Sequence, residues 1–105
     1  MIDFAAKIFY NEREKICMPT LSMFFGILIR MYKELNGQHN VPHFHAGYGE
    51  YEAVYDFDGN VLEGKLPKKQ HNLVVAWVEI HHEELEANWK LLCENEPFFK
   101  IEPLR

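Results

Sequence analysis

Residues Pro67 to Glu94 carry a helical pattern that only a broad apolar surface can satisfy. With successive residues turned by about 100°, Leu73, Val74, Trp77, Val78, Leu85, Trp89 and Leu92 share one arc of about 160°. Glu79, Glu83, Glu86 and Lys90 fall opposite, with Ala76 and Ala87 among them. Pro67 opens the pattern and Pro97 stops it. A stripe bearing two tryptophans has to be covered, so the rest of the chain must supply the cover. Ile80-His81-His82 joins β-branched and histidine residues, which lower helix propensity, so a kink is expected there.

The covering surface reads as a sheet. Residues 50–57 and 60–66 are two extended runs around Asp58-Gly59, the composition of a tight hairpin turn. A two-residue loop sets Tyr55 opposite Leu62, Ala53 opposite Gly64 and Tyr51 opposite Leu66. Tyr51, Tyr55, Leu62 and Leu66 then share the core face. Upstream, residues 24–32 read as a first strand, with Ile27, Ile29 and Met31 pointing one way and Leu28, Arg30 and Tyr32 the other. Lys33 to Asn40 is polar and reads as a loop, and Pro42 starts the next extended piece. Gly47 and Gly49 are expected to mark a bulge.

These elements make one α+β domain. It has a small antiparallel sheet of three or four strands, with one long, kinked, C-terminal amphipathic helix on one face. With 105 residues there is room for one core. Residues 1–17 lack clear periodicity and read as an N-terminal extension, with residues 18–105 as the domain. Phe98, Phe99 and Ile101, beyond the helix stop, either dock the tail on the body or pair with a strand of another chain.

Charge and cysteine content narrow the function. The formal net charge is -5, and residues 18–105 hold 13 acidic against 8 basic side chains. Unaided nucleic-acid binding is not expected, because gripping phosphates takes a basic surface. The apolar run from Phe24 to Ile29 is far short of the roughly 20 residues that span a bilayer, so no membrane association is expected. Cys17 and Cys93 form no CxxC pair, which argues against a disulfide scaffold and fits the cytoplasm.

The candidate chemistry lies in histidine. His43 and His45 flank Phe44 and, in a strand, share one face. Two imidazoles so placed can converge on a divalent metal such as zinc, serve as an acid/base pair, or bind an anion when protonated. A third ligand is sought in His39, His81 or Glu50. His81 falls almost at the centre of the helix's apolar arc, with Asn88 and Glu84 in the same arc. A polar side chain there must find partners, so it is either a satisfied core residue or the lining of a pocket between helix and sheet. His43, His45 and His81 are accordingly the catalytic candidates and are expected near one another, with Arg30 or Asn88 at the margin.

The chain resembles a bacterial and archaeal family, domain of unknown function 4160, from Met18 to Leu104. The resemblance is carried by Met18-Pro19-Thr20, Phe25-Gly26-Ile27, Arg30-Met31-Tyr32 and His39-Asn40-Val41-Pro42-His43-Phe44-His45-Ala46. Leu62-Glu63-Gly64, Leu66-Pro67, Trp77, His81, Glu84-Leu85 and Asn88-Trp89 complete it. It implies one component of a two-gene module of the toxin–antitoxin kind. The partner would be a small protein from a neighbouring gene, of unknown-function family 2442. This association attaches to the family and not to any side chain. Two alternatives stand beside it: a small nuclease or hydrolase using His43, His45 and His81, and a regulator binding a small ligand. Homo-oligomerisation is the other form partnership could take.

Overall fold

A computed structural model describes residues 8–11, 16–32 and 41–105. The elements run β1 (Ile8–Asn11), β2 (Ile16–Phe24), β3 (Ile27–Arg30), β4 (His43–Tyr48), β5 (Tyr51–Asp56), β6 (Val61–Lys65), α1 (Lys68–Ile80) and α2 (His82–Cys93). Strands β2 to β6 form an antiparallel meander, and β1 adds a sixth strand against the first part of β2. The fold is α+β as expected, with more strands than the three or four anticipated and two helices in place of one.

The extra strands come from a turn hidden inside an apolar run. Residues 24–32 are not one strand, because Phe25 and Gly26 both take positive φ (49° and 79°) and reverse the chain between β2 and β3. Positive φ at both central residues is the requirement of the type I′ hairpin turn. Phe25 carries no turn signal, so only Gly26 hinted at the reversal. Strand β2 itself begins at Ile16, so part of the stretch read as an extension lies in the sheet.

At the β5–β6 hairpin the loop holds three residues, not two. The Gly59 N–H donates to the Asp56 carbonyl at 3.2 Å, and the Asp56 N–H donates to the Asn60 carbonyl at 2.9 Å. Gly59 sits at φ 88°, the left-handed residue that closes such a loop. The register therefore slips by one, so that Tyr55 faces Val61, and recovers at Ala53 opposite Gly64. The bulge expected at Gly47 and Gly49 falls here instead. Leu62 and Tyr51, expected in the core, are exposed, while Tyr55 and Leu66 are buried. Burial opposes ionisation of Asp56. Hydrogen bonds from Asn60, from its backbone and its side chain, and from the N–H groups of Asp58 and Gly59 outweigh it and hold the carboxyl below its ordinary pKa.

Pro67 starts the helical region, its carbonyl accepting from the His71 N–H at 2.8 Å. The break falls at His81 (φ -111°, ψ 25°), inside the stretch where a kink was expected. Helix α2 ends in a Schellman motif. Asn95 is left-handed at φ 60°, the Glu96 N–H bonds the Leu91 carbonyl, and the Asn95 N–H bonds the Leu92 carbonyl. No helix among the described residues is long and apolar enough to cross a membrane.

The core lies between the sheet and the two helices. Val74, Trp77, Val78 and Leu85 from the helices meet Phe24, Ile27, Ile29, Phe44, Ala46, Ala53 and Tyr55 from the sheet. The tail closes its end. Ile101 is buried and its N–H bonds the Leu21 carbonyl at 3.0 Å, at the register shift in β2 between Thr20 and Ser22. The Asn88 amide bonds both backbone groups of Phe99, donating to its carbonyl at 2.8 Å and accepting from its N–H at 3.0 Å. Asn88→Ala strands those two groups beside a cavity. It is expected to cost about 2–3 kcal/mol in urea unfolding and to open the chain near Phe99 to limited proteolysis.

Candidate functional site

Strand alternation decides which histidines can meet. In β4, Phe44 and Ala46 point to the core, so His43 and His45 share the other side of the strand, where His43 still meets Trp89 of α2. Cross-strand register continues that face as a row running Thr20, Arg30, His45, Val54 and Glu63 over β2 to β6. A neighbouring row places Leu28, Gly47, Glu52 and Lys65 side by side.

His43 and His45 are brought together, with ring centroids 5.5 Å apart. Both are closed in, His43 at 1% and His45 at 5% exposure. Tyr32 stacks on His45 with centroids 4.3 Å apart and planes 13° apart. That parallel stacking, more than the long 3.4 Å separation of Tyr32 Oη and His45 Nδ1, defines the contact. Trp89 lies against His43 at 5.2 Å. His43 Nδ1 is 2.7 Å from the Val41 carbonyl oxygen, which can only accept, so Nδ1 carries the hydrogen and the lone pair of the neutral ring is at Nε2.

Arg30 and His45 share a carboxylate. Glu52 Oε2 lies 3.7 Å from Arg30 Nη2 and 3.9 Å from His45 Nδ1. The Glu52 side chain is 56% exposed, so solvent screens the pair and its contribution to stability is small. The Arg30 guanidinium reaches over Gly47, where an added Cβ would lie 3.9 Å from Nη2.

His81 has partners of its own. Its ring packs on Trp77 at 5.6 Å, and Trp77 meets Phe44 from the core side of the sheet. Its Nδ1 bonds the Glu84 carboxylate within the helical region. Of the three histidines expected near one another, His43 and His45 are in contact, while the contacts of His81 are with Trp77 and Glu84. Asn88 and Glu84, expected to line a pocket with His81, are taken up by the tail backbone and by His81. The space between helices and sheet is filled by aromatic and aliphatic side chains. Among the described residues no group of three or more His, Cys, Asp or Glu side chains is placed to hold a metal ion. His39, a candidate third ligand, lies outside the described residues.

The three tail residues divide. Ile101 is buried and Phe98 packs on the core within the chain, so docking on the body accounts for both, and Phe99 alone stays exposed at 46%.

One polar contact was missed from the sequence. Tyr55 Oη and His71 Nδ1 are 2.9 Å apart and the rings stack at 5.6 Å. His71, Val74, Val78, His81, Leu85 and Asn88 step by three and four residues, so the stripe that singled out His81 begins one turn earlier.

The family model described as a domain of unknown function (DUF4160) matches residues 26–90. The chain belongs to the DUF4160 family. The matched span runs from the turn between β2 and β3 into α2, and it holds Arg30, His43, His45, His81 and Asn88 but not the tail. No curated protein and no solved structure matches the chain.

Burial pushes the Tyr55 hydroxyl up to about 12 from 10.0. Below pH 10 the group is neutral in both folded and unfolded chains, and its full contribution is present. Between about 10 and 12 only the unfolded chain ionises, so stability falls as pH rises, by on the order of 2 kcal/mol in all. Urea unfolding at stepped alkaline pH is expected to show that loss, and Tyr55→Phe to flatten it. An unchanged slope in the variant would remove Tyr55 as its source.

Proposed function

We propose that this DUF4160 protein works as one component of a two-gene module of the toxin–antitoxin kind, acting through a small protein partner. The observation that supports it is the enclosure of the two histidines. With the rings of His43 and His45 closed in by Tyr32 and Trp89, a substrate atom has no direct approach to either. Trp89 of α2 meets His43, and Thr20 and Val54 in the same row as His45 are buried as well. The net charge of -5 argues against nucleic acid as the direct target and favours a partner that supplies positive charge.

The second reading is a small nuclease or hydrolase. One observation favours it: the bond to the Val41 carbonyl fixes the His43 tautomer, as a general base requires. Its third histidine, His81, is bonded through Nδ1 to Glu84 and packs on Trp77. In the module reading, His43 and His45 hold Tyr32 and Trp89 in place, and their replacement lowers stability first and partner binding only through it.

Light scattering on the purified protein, alone and mixed with the product of the adjacent gene, tests the module reading. A heavier complex of fixed stoichiometry is expected. A monomer that ignores that product, dilute and concentrated alike, overturns it and returns weight to the hydrolase.

A further inference from the structure

We propose that the tip of the β2–β3 hairpin, centred on Phe25, is the contact surface for a protein partner presenting an apolar pocket ringed by Lys and Arg side chains. The proposal rests on the module reading and adds to it the surface used and the partner's chemistry.

Phe25 is in the wrong place for the fold's own benefit. Its φ of 49° is left-handed, a region that a bulky side chain enters at a cost and that Asn or Gly enters readily. Burial does not offset the cost. The ring is 60% exposed and meets Phe24 edge-on at 6.5 Å. A residue that strains its backbone and gains little packing inside its own chain points to a contact outside it. Met23 is beside it, 63% exposed and paired across the hairpin with Leu28, itself half-buried. Aromatic residues and Met are the types enriched at interface cores.

The tip is also backed by its neighbour. Gly26 lies against the ring of Tyr48, where an added Cβ would stand 3.3 Å from Cε1. The β2–β3 turn thus leans on the end of β4, beside the Gly49-Glu50 turn that leads to β5.

The charge around the tip selects the occupant. Neither turn contains Lys or Arg, while Glu50 lies in the second turn beside the exposed Tyr51. On the adjoining rows Arg30 and Lys65 both stand next to Glu52. A second copy of this chain, at net charge -5, would bring like charge to like. A basic rim around an apolar pocket complements both features.

The test is calorimetric titration of the adjacent gene's purified product into the wild type, Phe25→Asn and Met23→Ser, with the melting temperature of each. Asn-Gly is the sequence this turn favours, so Phe25→Asn is expected to melt at or above the wild-type temperature while binding at least about tenfold more weakly. Met23→Ser is expected to weaken binding in the same direction, and added salt to weaken the wild-type complex. Wild-type binding that both variants retain, or a clear drop in the melting temperature of Phe25→Asn, overturns the proposal and leaves the module reading standing. No binding by the wild type overturns the module reading and this surface with it.

Discussion

The indole of Trp77 joins every layer of the molecule. It lies 5.4 Å from Phe24 of β2 and 5.7 Å from Phe44 of β4, and it carries His81 on its other side. Its Nε1–H donates to the Glu102 carbonyl at 2.9 Å, so the tail is tied to the same side chain. A fully buried indole brings more apolar area than any other residue here, but it also brings one donor that must be satisfied. The chain meets that requirement with backbone from its last residues. The course of the tail is thus set by Trp77 and Asn88, two helix residues whose side chains bond to the main chain of residues 99 and 102. This is why the apolar tail residues, which read from the sequence as a free strand as easily as a docked one, are mostly consumed within the chain.

The same packing fixes where the histidines go. Phe44 has to reach Trp77, and it stacks on Tyr55 and Phe57 as it does so. With Phe44 committed to the core, the period of two in a strand sends His43 and His45 to its other side. That placement follows from the core and not from any local preference of histidine.

What the sequence disclosed followed from periodicity, and what it hid followed from closure. The helical stripe from Pro67 to the Asn95 cap, the break at His81, the start of β4 after Pro42 and the pairing of His43 with His45 all express a regular period or a residue with a restricted backbone. The turn at Phe25-Gly26 did not, because its first residue is one that such turns avoid. The three-residue loop at Asp56–Asn60 shares its Asp-Gly composition with the two-residue loop, and only the hydrogen-bond pattern around Asp56 tells them apart. A stripe gives the helix face and an alternation gives the strand face, but which side of β4 packs on Trp77 was decided by Phe44.

Positive φ separates what the fold requires from what it only tolerates. Among the described residues six positions take it: Gly26, Gly49, Gly59, Gly64, Asn95 and Phe25. Gly64 has no alternative, since a Cβ there would lie 2.1 Å from the Glu52 carbonyl oxygen and 3.1 Å from the Ala53 Cα. Asn95 is the residue type a Schellman cap accepts after glycine. Gly26, Gly49 and Gly59 each sit in a hairpin turn. At these five positions local chemistry and global fold agree, as they do in a sequence shaped for one structure. At Phe25 they disagree. The backbone is held left-handed by the hairpin, the side chain is one that resists it, and the ring is left in water. A disagreement confined to one exposed residue in a hairpin turn is what the partner contact proposed at that tip would resolve.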